Sequence, residues 1–351
     1  MAKTSYQYTL KLIVDILSGL NSTEELKMKL SQFTDWDNFV KIASNHLVLT
    51  TVFCRLEQMN LLNNLPDDLN AYLAEITQIN RNRNVQLIDE ARTISTLLTE
   101  NNVQFLFFKG MGMLLSKSYK DIGERMIGDI DILVEKSQLK KAFNLLKEYG
   151  YDQLYDFNYN VKDFRHKPRQ AHKNSLAAVE LHDNILKKGK RDLINLDNLL
   201  DNPISTDGFL TPSIEHTHLI NVYSTQINNN NYYYNRIILK NLYETIITIG
   251  TRGSDNKFPE TEYIYHEHYM WLYNFWVYAQ TQRKGTSIQK LKQFLYTIKI
   301  KDEFVNTFVY RLNFIILNVK IRIIQFIKNK SYRNHVIKNK LLVKTKMKII
   351  S

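Results

Sequence analysis

The stretch Ile127–Glu135, IGDIDILVE, constrains this chain more than any other. Its first half alternates. As a strand it puts Asp129 and Asp131 on one face and Ile130 and Ile132 on the other. With Leu133 and Val134 following, that strand belongs inside a sheet, so two carboxylates are carried into a rigid core. Glu180, in the strand candidate Ser175–His182 (SLAAVELH), can add a third. Three acids this close repel unless a cation lies between them, which predicts local strain in a metal-free state. Hard oxygen donors suit Mg²⁺ or Mn²⁺, which keep waters and hold substrate phosphates. Such ions can activate an attacking hydroxyl and stabilise the leaving oxygens. An isolated Asp-x-Asp is also common as a solvated pair on a strand edge, and that reading stays open at this point.

The surroundings favour an α/β unit. Val103–Phe108 suits a buried strand, Gly110 ends it, and Met111–Lys117 suits a short helix. After the Asp-x-Asp strand, Ser137 is a cap candidate. Leu139, Ala142, Phe143, Leu146 and Tyr149 then follow at helical spacing, with Gly150 at the end. Tyr151–Phe157 and Ser175–His182 give two more strands. Residues 1–100 read as helices: one around Leu10–Leu17, one over Trp36–Met59, one starting after Pro66, and a long one through Asn80–Leu98. Ser213–Gln226, Arg236–Ile249, Tyr263–Gln282 and Ser287–Leu317 read as helices too, with Asn228–Asn231 as a loop. The expected division is a helical region 1–100, an α/β core 101–212, a helical region 213–318 and a basic extension 319–351.

FFKGMGMLL, ERMIGDIDILV, the helix ending in YGY, and VELH together resemble the uncharacterised nucleotidyltransferase family of the DNA polymerase beta-like superfamily. The likeness covers about residues 100–185 and extends more weakly to either side. It implies an α+β fold, a mixed-sheet core between helical N- and C-terminal regions. It also implies metal-dependent transfer of a nucleoside monophosphate from an NTP to an acceptor hydroxyl, with release of pyrophosphate. Asp129 and Asp131 match the metal-binding pair. Glu180 matches the third carboxylate, as base or shared metal ligand. Lys109 and Gly110 occupy the nucleotide-phosphate turn, and Arg125, the basic residue before the acids, is expected to serve the triphosphate with Lys109. The wider superfamily opens this turn with Gly-Ser or Gly-Gly. Here it is Lys109-Gly110-Met111-Gly112, so Lys109 either replaces a hydroxyl with a point charge or serves the start of the helix. His182 shares the Glu180 face. It is open to phosphate binding, orientation of Glu180, proton transfer or a structural hydrogen bond.

Charge bears on the acceptor. The net charge is +12, but Val319–Ser351 holds ten of the 47 Lys and Arg and no acid, so the rest is nearly balanced against 35 Asp and Glu. A neutral body disfavours nucleic acid as the acceptor and leaves a small molecule, sugar or peptide preferred. A toxin-like enzyme acting on RNA or protein and a non-catalytic binding module are the competing readings. In the extension, a terminal helix followed by a mobile last dozen residues is expected. The single cysteine, Cys54, excludes a disulfide framework and reads as core. Lys11 and Asp15 interrupt the N-terminal apolar stretch, and no run reaches the roughly 18 apolar residues of a spanning helix, so a cytoplasmic protein is expected. Arg165, Lys167, Arg169 and Lys173 form a basic stretch that faces a triphosphate or solvent. His216/His218 and His266/His268 sit in helices, where i and i+2 diverge, and read as structural. Trp271, Trp276 and the aromatics around them read as core. Oligomeric state is not written in this sequence.

Overall fold

The computed structural model describes residues 5–156, 158–161, 164–250 and 264–339. Side-chain caps set the first helices. Ser5 Oγ accepts from Tyr8 N at the head of α1 (Tyr6–Ser18), and Gly19, at φ 60°, ends it. Ser22 and Glu25 form a reciprocal capping box on α2 (Thr23–Gln32). The expected helix Trp36–Met59 is two helices, α3 (Trp36–Asn45) and α4 (Leu49–Gln58). Leu47 takes a left-handed φ of 58°, and Val48 N donates back to Ala43 O at 3.0 Å, the closure of a Schellman turn. The break is fastened elsewhere: the His46 ring accepts from Leu239 N, and His46 O accepts from Lys240 N.

The two helices read after Pro66 are one, α5 (Asp67–Glu100), of 34 residues. It holds no Gly or internal Pro to break it. Its buried line runs Leu69, Leu73, Thr77, Asn80, Asn84, Leu87, Ala91, Ile94 and Leu98, the spacing of one helical stripe. The two asparagines interrupt that apolar stripe because they grip a loop. Asn80 Nδ2 donates to Gly123 O at 2.9 Å, and Asn84 Nδ2 donates to Ile122 O and Arg125 O at 2.6 and 2.7 Å. Arg81 beside them pairs with Asp121.

The loop so held delivers the sheet. Strands β1 (Phe105–Phe107), β2 (Asp129–Val134), β3 (Gln153–Tyr155), β4 (Arg169–Ala171) and β5 (Ala178–His182) lie in the order β1-β2-β5-β4-β3. β2 and β5 run parallel and the other neighbours antiparallel. Helices α6 (Lys109–Leu115) and α7 (Leu139–Glu148) connect them. Ser137 does not cap α7. Its hydroxyl turns to Glu135, and Gln138 holds the cap position. One face of the sheet (Phe107, Ile130, Ile132, Val179, Leu181) joins a core reaching from Leu10 to Ile300. The other (Leu106, Phe108, Leu133) packs on Ile185, Leu199, Ile220 and Tyr223.

After α8 (Leu196–Asp201), strands β6 (Ile204–Thr206) and β7 (Phe209–Thr211) form a hairpin. Asp207-Gly208, both at positive φ, makes its two-residue turn. Ser213 caps α9 (Ile214–Tyr223), which runs into a π-helical turn over Ser224–Asn228. Then come α10 (Asn231–Tyr234), α11 (Leu239–Gly250) and the aromatic α12 (Ile264–Val277). Thus Asn228 and Asn231 end and begin helical turns, where a loop was expected. Trp271, Trp276, Tyr269 and Cys54 are buried, as expected of core residues. The expected helix Ser287–Leu317 is α13 (Ser287–Lys299) and α14 (Glu303–Lys328), restarted by Asp302, whose Oδ1 accepts from Val305 N at 2.9 Å. A last helix, α15, covers Lys330–Lys338. The final dozen residues lie outside the described range.

Candidate functional site

The β2–β5 register puts Asp131 directly beside Glu180, on one face of the sheet. His182, two residues on, shares that face. One ligand atom from each of Asp131, Glu180 and His182 lies within 4.8 Å of the others, and all three are buried. Asp129 is on the same face, nearer solvent, and lines the same cleft of about 200 Å³ with Lys109, Arg169 and Lys240.

Two cations and a histidine, from three elements, balance these acids. Phe108 N donates to Asp131 O and prolongs the sheet, and Lys109 then turns the chain into α6 at a left-handed φ of 55°. That turn brings Lys109 Nζ onto Asp131 Oδ1. α6 can lie this close because residue 112 is glycine: a Cβ there would stand 2.6 Å from Phe107 O. On the other side Arg169, on β4, pairs through Nε with Glu180 and reaches Asp129 Oδ2 at 3.5 Å. His182 Nε2 lies 2.8 Å from Asp131 Oδ1 and 3.2 Å from Glu180 Oε2. Facing two carboxylates, that nitrogen carries the proton and donates to both. Nδ1 is buried with no hydrogen-bond partner among the described residues.

Burial works against every one of these charges, and the cations decide the outcome. Asp131 is held well below the usual carboxylate range by Lys109 and His182 despite its burial. Glu180, likewise buried, is held at about 2, chiefly by the His182 hydrogen bond. Asp129 goes the other way: burial, then Asp131 and Glu180 beside it, raise its pKa against the pull of Lys109 and Arg169. The repulsion expected among the three acids is offset at Asp131 and Glu180, where two cations and a bridging imidazole stand among them, and it persists at Asp129.

The donor set fits a hard divalent cation. Asp131 and Glu180 present buried carboxylate oxygens, Asp129 a half-buried one, to a cleft open to water. His182 fits less well as a ligand. To offer Nε2 it would have to move its proton to Nδ1, which has no acceptor among the described residues.

The remaining expected site residues are close by. Gly110 lines the cleft near Arg125: a Cβ on it would stand 3.1 Å from an Arg125 guanidinium nitrogen. Arg125 also borders the cleft, but its Nε is engaged by Glu244 of α11 at 3.0 Å. The preceding Glu124 is fixed by Gln58 and Tyr243 through its carboxylate and by Thr51 through its carbonyl. Sequence reasoning missed Lys240, one lysine among many, whose ammonium is pushed down by burial within reach of Glu244, Arg125, Lys109 and Asp129. It left the stretch Arg165–Lys173 open between a triphosphate and solvent. That stretch holds strand β4, which places Arg169 on Glu180. Of the His-x-His pairs, one member each meets in a buried contact, His218 Nε2 to His266 Nε2 at 3.2 Å.

The model of a family described as uncharacterised nucleotidyltransferases matches residues 32–245. Neither a curated protein nor a solved structure matches the chain.

Proposed function

The chain belongs to the uncharacterised nucleotidyltransferase family, and on that premise we propose that it moves a nucleoside monophosphate from an NTP to a hydroxyl of an acceptor, releasing pyrophosphate. The observation that carries this is the convergence of Asp131 and Glu180 on one buried face, with Asp129 at its open edge and basic side chains around the cleft. Buried acids that face an open cleft favour this reading over a non-catalytic module. The preferred acceptor is a small molecule, sugar or peptide, and an NTP substrate suits a reaction in the cytoplasm.

Asp129, Asp131 and Glu180 would hold Mg²⁺ or Mn²⁺, which supplies positive charge to the phosphate oxygens and lowers the pKa of an attacking hydroxyl. Lys109 and Arg169, which neutralise the acids in the metal-free chain, are then released to the triphosphate. Lys240, across the cleft, adds a third cation from α11. Arg125 stays with Glu244 and fixes the loop that leads into β2. Because its carboxyl is held at about 2, Glu180 is a weak base, which favours a ligand role. Asp129 stands at the open edge of the cleft, where an acceptor hydroxyl would enter. His182 orients Asp131 and Glu180 by donating to both.

The test is incubation of the protein with each labelled NTP, a divalent cation and a cell extract, scored for pyrophosphate and for labelled acceptor. Transfer that Asp131→Asn abolishes supports the assignment. Absence of both transfer and NTP binding, with every NTP and either cation, overturns it.

A further inference from the structure

The last two long helices leave apolar faces uncovered. α13 buries Gln289, Gln293, Tyr296 and Lys299 and exposes Ile288, Leu291, Leu295 and Ile298, with Ile288 at 70% exposure. The buried polar groups are satisfied: Gln289 bonds Glu267, Gln293 bonds Lys284, and Lys299 Nζ donates to Tyr234 O. So the inward face is a fitted one, and the apolar face is left over. α14, about 39 Å long at 1.5 Å per residue, has no buried residue at all. It leans on the body through Tyr310 and Phe314, whose rings meet Tyr234 at 5.2 and 6.4 Å. At 3.6 residues per turn, the opposite side carries Phe308, Leu312, Ile315, Val319, Ile323 and Phe326, all exposed. An apolar surface of this extent is unusual on a protein that meets only water.

Charge identifies what covers it. Glu303, the first residue of α14, is the last acid in the chain and is paired with Lys41. Beyond it every charged side chain is basic. Arg311 and Arg322 run along one border of the apolar stripe and Lys320 along the other. Lys328, Lys330, Arg333 and Lys338 follow. A second copy docked through this face would set cation against cation with no acid to answer it. Nucleic acid would satisfy the cations and leave the Phe, Leu and Ile stripe in water. An anionic lipid surface answers both, taking the apolar side chains into its acyl boundary and the flanking cations among its phosphates. No helix among the described residues is long and apolar enough to cross a membrane, which leaves α14 lying on one.

We propose that α13 and α14 form a docking face for an anionic membrane surface, independent of the nucleotidyltransferase reading. The experiment is flotation of the full chain with vesicles of phosphatidylcholine alone or with added phosphatidylglycerol. Expected is binding to the anionic vesicles only, weakened by salt. Lys320→Gln and Arg322→Gln should each reduce the partition about fivefold, the equivalent of about 1 kcal/mol per cation. The triple variant Phe308→Asp, Leu312→Asp, Val319→Asp should abolish binding while leaving circular dichroism and nucleotide binding unchanged, since those side chains support no core. Three results overturn the proposal. One is failure to bind anionic vesicles, whether or not RNA or DNA binds. Another is a triple variant that binds like the wild type. The third is a light-scattering dimer that the triple variant dissociates, without vesicle binding.

Discussion

Replacing Glu180 with Gln decides whether the acids of this site are strained or balanced when no metal is bound. Glu180 is buried, and burial alone would raise its pKa. The hydrogen bond from His182 instead brings the carboxyl from 4.5 down to about 2. At about 1.4 kcal/mol per pH unit, a depression of that size is worth about 3 kcal/mol of folding stability. The sign follows from the direction. A depressed carboxyl contributes fully above its unfolded value of 4.5, and the contribution disappears as pH falls through 2. Glutamine keeps one acceptor oxygen for Arg169 or His182, so the expected loss near neutral pH is about 2–3 kcal/mol. The assay is urea unfolding in EDTA, wild type against Glu180→Gln, near neutral pH and again near pH 3. The gap in stability should narrow at the lower pH. A variant as stable as the wild type, or more so, at neutral pH without metal would mean that the acids repel on balance, and that Lys109, Arg169 and His182 do not compensate them.

Other perturbations separate the parts of the site. Lys109→Ala should weaken NTP binding by about 10- to 150-fold, the worth of one charge-assisted phosphate contact of roughly 1.5–3 kcal/mol, as measured by calorimetric titration. Lys240→Met should weaken NTP binding in the same assay and leave Mn²⁺ affinity, read by electron paramagnetic resonance, unchanged. Asn84→Ala removes the donor to Ile122 O and Arg125 O and should cost about 1–3 kcal/mol in urea unfolding, with loss of turnover because the loop entering β2 is freed. Gly112→Ala forces a Cβ onto Phe107 O and should destabilise by about 1–3 kcal/mol in the same unfolding assay.

The acids of the site were legible in the sequence, and the reason is period. Alternation in IGDIDILVE and VELH fixed which side chains share a face, and a face is what a parallel neighbour in register completes. The counter-charges were not legible. Lys109 reaches Asp131 only because a lysine adopts a left-handed φ, which residue type does not foretell. Arg169 sits on a three-residue strand too short to show a pattern, and Lys240 arrives from a helix far along the chain. Helix ends divide in the same way. Ser5 and Ser22 cap their helices without having been read as caps and Ser137, read as one, does not, whereas the turn at Leu47 has no glycine to mark it. The Asp-Gly turn of the β6–β7 hairpin was readable and went unread.

The grip of α5 on the loop at 122–125 has a consequence for how this enzyme can be divided or inherited. Asp129, Asp131 and Glu180 all lie in the segment from β1 to β5, yet the backbone that aims the first two is held by asparagines belonging to the preceding helix. A fragment beginning at β1 would carry the full chemical inventory and lack the hand that holds it in place. The unit that selection can transplant or duplicate therefore starts no later than α5. Substitutions at Asn80 or Asn84, which touch no substrate, would act on the reaction as surely as substitutions of the acids themselves.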